Sequence, residues 1–376
     1  MRNVRLSQHD LSTVALEELE GSDAKRLRVL VVRMSAMGDI IHALPAIAAL
    51  RAARPDLHIG WLIEQRWMEL LCAHATERLQ PRSELKPLVD WVHVSDFKEW
   101  RKGLSSAATW RDMHSCMREV RAIKYDVALD LQGSIRSAMA GRLSGAKTRI
   151  GSAEPREVPA RRFYTKVVVP QGTHVVEHGL ELASTVAGDD LSYEAPLFPQ
   201  DSATEAWADR FCASVGFAPL AILNPGAGWG AKCWPAHSYG EVAKALAERG
   251  MAVTVNYGPQ EEALAEAVRE ASEEAARPVK CSVSQLIALT RRASLFVGGD
   301  TGPMHLAAAL GVPVVALFGP TRPERNGPYA TRSVVLRSAE SADNTSHVDD
   351  PDAGLQSITP AEVVAAADSL LKEQND

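Results

Sequence analysis

The chain reads as an α/β protein with two doubly wound, Rossmann-like domains in tandem. Three observations carry this expectation. Leu27–Met34 and Val312–Phe318 are near-continuous apolar runs rich in β-branched residues, the pattern of strands covered on both faces of a parallel sheet. In each half a glycine-bearing turn joins a strand run to a helix-length segment, at Ser35–Asp39 and at Gly299–Gly302. The length of 376 residues, 46% of them apolar, is enough for two cores.

Composition narrows the function classes. The formal net charge is −6, whereas a nucleic-acid binder usually carries a basic footprint. The 5 cysteines are scattered without CxxC pairs, as in a reduced intracellular chain, and no Cys/His cluster has metal-site spacing. Residues 1–25 are polar, lack an apolar h-region, and read as a loosely ordered extension rather than a signal peptide. No apolar run approaches the roughly 20 residues of a membrane span. A cytoplasmic protein is the expectation.

The elements follow in order. After the first strand, Ile40–Ala53 reads as a helix containing Pro45, a residue that can kink it. Leu57–Ile63 is the next strand, and Gln65–Val94 reads as helical and irregular. Asp96–Lys102 and Trp110–Lys124 are rich in basic residues, which suits a solvated helix face or a basic rim for an anionic substrate. Tyr125–Leu131 is a strand ending at Gln132-Gly133-Ser134, and the helix after it carries Arg136. Arg149–Tyr164 is rich in proline and arginine and reads as an irregular loop, either plain surface or a gripper of phosphate or carboxylate. A helix over His174–Ala187 completes a first domain, 26–190, and 188–204 is a polar linker.

In the second domain, 205–335, Leu220–Leu223 is a strand, and a loop then brings Lys232 and Trp234-Pro235. Ala236–Glu248 is a helix closed by Gly250, Ala252–Tyr257 a strand, and Gly258–Glu262 opens another helix. The remaining 336–376 combines an acidic, serine-rich loop with a helix. Thr359-Pro360-Ala361-Glu362 is a capping box with proline at the first helical position, and Ile358 and Val363 match the staple.

Two turns can carry chemistry. In Val297–Ala309 a strand ends at Gly299, Asp300-Thr301-Gly302 turns, and a helix opens at Pro303. A helix start offers free N–H groups and partial positive charge, which suits a diphosphate, and His305 falls within reach of the same anion. A plain structural βαβ turn looks the same, so this turn does not decide alone. Asp39 likewise has two readings: helix N-cap, or a carboxylate at a strand's carboxyl end facing the gap between domains. His42, three residues on, is placed to touch Asp39 or to lie on the helix surface.

Four motifs in register tip the balance. SAMGDIIHALPAIAALR, NPGAGWGAKCWP, YGPQEE and GGDTGPMHLAAALGVPVVALFGPT occur in this order and resemble the ADP-heptose:lipopolysaccharide heptosyltransferases, glycosyltransferase family nine. The resemblance spans roughly residues 27–335. SAMGDIIH, KYDVALDLQGSIRSA and HVVEHGLELA look more like heptosyltransferase I, while NPGAGWGAKCWP has some features of heptosyltransferase II.

This resemblance implies the GT-B architecture: two facing Rossmann-like domains, the acceptor mainly on the first and the nucleotide sugar on the second. It implies inverting transfer of heptose from ADP-heptose to the Kdo of a lipid-linked inner-core lipopolysaccharide precursor. Contact with the cytoplasmic face of the inner membrane would be peripheral. Asp39 takes the place of the general base. Lys232 pairs with a donor phosphate, Thr301 and Gly302 cradle the diphosphate, and His305 adds a contact. Glu261 binds the ribose hydroxyls, and Asp300 orients the heptose or holds the turn. Ser35, His42, Arg136 and Arg156 fall on the acceptor side. No cofactor and no metal is expected, because Lys232 and the helix dipole can carry the leaving-group charge. Ala36 departs from the pattern, which often has a second serine there.

Three rival readings remain at this point. One is a related transferase with another acceptor, as in heptosyltransferase II. An NAD-dependent dehydrogenase would want G-x-G-x-x-G where this chain has SAMGD. The third is a two-domain clam-shell binding protein without chemistry.

Overall fold

The computed structural model describes residues 26–216, 218–341 and 350–372. The polar extension 1–25 and the middle of the acidic loop lie outside the described residues. The first lobe comprises β1 (Arg28–Val32), α1 (Met37–Ala53), β2 (His58–Glu64), β3 (Trp91–Ser95), α2 (Ala107–Ala122), β4 (Val127–Asp130), α3 (Ile135–Leu143), β5 (Thr148–Ser152), β6 (Lys166–Val168) and α4 (Val175–Ala187). The second comprises α5 (Ser202–Ser214), β7 (Leu220–Asn224), α6 (Ala236–Glu248), β8 (Ala252–Tyr257), α7 (Glu262–Ala271), β9 (Ala276–Lys280), α8 (Val283–Thr290), β10 (Ala293–Gly299), α9 (Gly302–Ala309), β11 (Val314–Phe318), β12 (Ser333–Arg337) and α10 (Pro360–Lys372).

Each lobe holds a six-stranded sheet, ordered β3-β2-β1-β4-β5-β6 and β12-β11-β10-β7-β8-β9. The strand pairs are parallel throughout. Counted from its own first strand, each sheet therefore has the doubly wound order 3-2-1-4-5-6. Such sheets bind ligands beyond the carboxyl ends of the strands where the winding reverses. Here those points are β1/β4 and β7/β10.

The core explains the composition of α1. This helix is apolar on nearly every side, and its residues from Ile40 to Leu50 are buried. A helix without a polar face needs cover on both sides. One side packs on the sheet and the other on α4. The same apolar cluster takes in Leu286, Ile287 and Leu306 of the second lobe, so the lobes share a hydrophobic contact. A polar link adds to it: the Ser284 N–H donates to the Glu69 carboxylate at 2.7 Å.

Several sequence expectations need correction. The first helix begins at Met37 rather than Ile40, which makes Asp39 its third residue and not its N-cap. Gln65–Val94 is not mainly helical. It contains two short 3-10 turns, and then β3 begins at Trp91. Arg149–Tyr164 is not wholly loop: β5 runs to Ser152, and a 3-10 segment spans Val158–Phe163. The second sheet continues past residue 335 through β12 to Arg337. Its core also includes Val363, Ala367 and Leu370 of α10, so the C-terminal helix belongs to this lobe. The capping box of α10 forms as expected, with Thr359 and Glu362 bonding reciprocally. Ile358 and Val363, its staple residues, are both buried.

Candidate active site between two helix starts

The starts of α1 and α9 face each other across the gap between the lobes. A Cβ built on Gly302 would stand 2.7 Å from Met37, and one on Gly38 would stand 2.6 Å from the His305 ring. Only glycine permits this approach, and it brings the β1–α1 turn onto the β10–α9 turn.

Asp39 lies at that junction. Its Oδ1 is 2.9 Å from Arg33 Nη2, and its Oδ2 accepts the Ala36 N–H at 3.2 Å. The Asp39 side chain keeps 41% exposure, enough to meet a substrate. Arg33 is anchored from behind, since its Nη1 donates to the Leu131 carbonyl at 2.7 Å. Together these contacts fix where the carboxylate points.

Beside Asp39 opens a cleft of about 510 Å³. Arg33, Asp39, Asp130, Arg156 and His178 line it from the first lobe, and Arg325 and Asn326 from the second. Asp130 is the other carboxylate at the winding reversal, but its valences are spent. Its Oδ1 accepts the Gln132 and Gly133 N–H groups at 2.9 and 3.0 Å. Its Oδ2 accepts the hydroxyls of Ser137 at 2.9 Å and Tyr164 at 2.7 Å. Burial pushes its pKa up against these bonds. Asp130 therefore holds the β4–α3 turn, and Asp39 is the carboxylate with room to work.

On the second lobe, Lys232, Asp300 and His305 form a chain. Lys232 Nζ is 2.5 Å from Asp300 Oδ2, and His305 Nε2 is 3.0 Å from Asp300 Oδ1. Burial alone would raise the Asp300 carboxyl, but His305 and then Lys232 hold it well below the usual range. Thr301 is the N-cap of α9 without a side-chain capping bond, and its buried hydroxyl has no partner among the described residues. Pro303 is the second residue of that helix, one later than expected. A helix start with an uncommitted hydroxyl and a lysine nearby suits a diphosphate. Glu261 accepts the Gly258 N–H at 2.6 Å beyond β8 and fills the space left by the missing Cβ of Gly226.

Three sequence-derived placements change. His42 neither touches Asp39 nor lies on the surface. It is buried, with its ring centroid 4.1 Å from that of His305 and 5.4 Å from that of His174. Burial, followed by these neighbouring rings, lowers its pKa well below the usual histidine value. His42 also borders the cleft. Ser35 and Arg136 do not line the cleft. Arg136 is exposed and lies over the Phe97 ring at 6.0 Å. Arg156 does line it.

Arg33, Asp130, His178 and Arg325 also line the cleft and belong to none of the four motifs in register. Two of these have a signal: Arg33 and Asp130 are charges directly after the apolar stretches Val29–Val32 and Val127–Leu129. Among the described residues, no group of three or more His, Cys, Asp or Glu is placed to hold a metal ion.

Known proteins resemble this chain in sequence and fold. The family model for glycosyltransferase family 9 (heptosyltransferase) matches residues 113–354. The chain is 30% identical over 317 residues to lipopolysaccharide heptosyltransferase 1 of Pseudomonas aeruginosa, covering 83% of this chain and 84% of that one. It is 28% identical over 348 residues to lipopolysaccharide heptosyltransferase 3 of Escherichia coli, covering 89% and 96%. Among solved structures, E. coli heptosyltransferase WaaC with ADP matches with a TM-score of 0.70 at 26% identity, covering 93% of this chain and all of that one. Two facing Rossmann-like lobes constitute the GT-B architecture, and with these matches the chain belongs to glycosyltransferase family 9, the heptosyltransferases.

Proposed function

We propose that the protein moves heptose, with inversion, from ADP-heptose to the Kdo of a lipid-linked precursor of the lipopolysaccharide inner core. The observation that carries this is the close approach at Gly38 and Gly302, which sets Asp39 of one lobe beside the diphosphate-suited turn of the other. In this scheme Asp39 takes the proton of the acceptor hydroxyl as that oxygen attacks the anomeric carbon. The bond from that carbon to the diphosphate breaks on the opposite face. Lys232 exchanges Asp300 for a phosphate oxygen, and the N–H groups of α9 with the Thr301 hydroxyl take up the rest of the charge on the leaving ADP. Asp300 and His305 hold the turn, and Glu261 meets the ribose. No metal ion is assigned a part.

Names among the relatives support this acceptor and also favour a second one. One relative is a heptosyltransferase 1 and another a heptosyltransferase 3, at similar identity. The alternative is transfer to a heptose already on the core. Turnover of ADP-heptose against a panel of truncated core acceptors separates the two. Efficient transfer to the Kdo-terminated member supports the first, and transfer only to heptose-bearing members supports the second. Thermal shift supplies the donor test: ADP should raise the melting temperature, while UDP and NAD should not.

No helix among the described residues is long and apolar enough to cross a membrane. We place the protein at the cytoplasmic face of the inner membrane, held peripherally by basic residues of the first lobe. Salt-sensitive sedimentation with anionic vesicles would support that placement.

A further inference from the structure

We propose that Arg325 of the second lobe and Arg156 of the first form a two-sided clamp for an anionic oxygen group of the acceptor. This rests on the cleft beside Asp39 being the acceptor site. Both arginines line that cleft, from opposite lobes. The third arginine of the cleft is committed, since Arg33 is bound to Asp39, and a His178 ring nitrogen is held 2.8 Å from the Gly172 carbonyl. The guanidinium groups of Arg156 and Arg325 have no partner among the described residues.

The carboxylates in the cleft do not cancel this charge. Asp130 is saturated by four donors, and Asp39 is paired with Arg33. Glu154, exposed at the rim, is the acid left over, and no described cation lies within ion-pair distance of it. Two free guanidinium groups therefore face one carboxylate. The planar fork of arginine suits a carboxylate or a phosphate, and an anion gripped from both sides would hold the lobes together.

Arg325 is also held in place. It sits on the short helix Pro323–Asn326, followed by Gly327. The Gly327 carbonyl is 3.1 Å from a ring nitrogen of His174, the residue that caps α4 in the first lobe. Tyr329 packs on the same His174 ring, with centroids 4.6 Å apart. The segment carrying Arg325 is thus fastened to the opposite lobe just beside the cleft.

The anion has two sources in the proposed acceptor: the Kdo carboxylate, or a phosphate of the lipid anchor. The test uses a soluble, deacylated Kdo-bearing acceptor, the same molecule with the carboxyl converted to an amide, and a dephosphorylated form. Arg325→Gln should raise the acceptor KM about tenfold or more, as for loss of a charged hydrogen bond. Its kcat and its affinity for ADP should stay near wild type, because the contact exists in ground and transition states alike. The analogue that weakens the wild type but leaves Arg325→Gln unaffected identifies the group gripped. An unchanged acceptor KM in Arg325→Gln, with wild-type turnover intact, would overturn the clamp alone. Absence of transfer by the wild type to every form would overturn the assignment of the cleft, and the clamp with it.

Discussion

Asp39, in the first turn of the helix that follows β1, and Asp130, the last residue of the neighbouring strand β4, both border the cleft, yet their surroundings give them different work. Asp130 is buried at the cleft wall with four donors on its two oxygens. Asp39 has one ion pair, one backbone donor and an exposed side. Asp39→Asn should therefore cut kcat by about 10²- to 10⁴-fold, the usual worth of a general base, with the melting temperature little changed. Asp130→Asn should do the reverse. Losing one acceptor oxygen in a buried network costs about 1–3 kcal/mol, visible in urea denaturation, while kcat per folded molecule survives. A folded Asp39→Asn enzyme with wild-type turnover would remove the base assignment. At this scale the motifs single out Asp39, Lys232 and the Thr301 turn, which the structure sets at the starts of α1 and α9. The sequence is silent on Arg325, which comes to the cleft only because β11 ends there and His174 fastens the loop that follows.

At the scale of elements, the decisive feature is the contact between the starts of α1 and α9. Gly38 is a test of it. Alanine is the better helix former by roughly 1 kcal/mol, so local propensity favours Gly38→Ala. The added Cβ would nevertheless stand 2.6 Å from the His305 ring and push the two turns apart. We expect kcat/KM to fall on the order of 10²-fold, the effect of about 1 Å of misplacement, in a variant that still folds. Normal activity in Gly38→Ala would show that the approach is incidental. The boundary of α1 also shows why elements are only partly legible. Asp39 is not the cap. It is the third helical residue, reaching back to the Ala36 N–H, and that half of a capping box has no Ser or Thr to announce it. The box at Thr359 and Glu362, by contrast, is announced by its own residues. The edge strands β3, β6, β9 and β12 are harder to read, because edge pairing depends on a neighbour strand that sequence does not place beside them.

For the whole molecule, the two sheets share one winding order, and the lobes meet through Leu286, Ile287 and Leu306. The tandem arrangement was legible because buried parallel strands are continuously apolar. The junction was not, because a histidine such as His42 looks alike on a surface and in an interface. That junction makes stability depend on pH. The pKa values of His42 and His174 both lie below the ordinary histidine value of 6.5, mainly through burial. Below that value the unfolded chain takes up protons that the folded chain excludes. Stability is thus fully present above about pH 6.5 and falls on acidification, by at most about 1.4 kcal/mol per pH unit for each ring. Urea midpoints should drop between pH 7 and pH 5.5, and His42→Asn should flatten the slope. Equal midpoints in the wild type at the two pH values would count against a neutral, buried pair.

The most direct measurement is a crystal structure with a non-transferable ADP-heptose analogue and a Kdo-bearing acceptor fragment. The diphosphate should rest on the start of α9 at Thr301 and Gly302, with Lys232 turned from Asp300 to a phosphate oxygen. Asp39 should lie about 3 Å from the acceptor hydroxyl, on the face of the sugar opposite the leaving group. A diphosphate bound away from α9, or an Asp39 carboxylate with no acceptor oxygen in reach, would contradict the account.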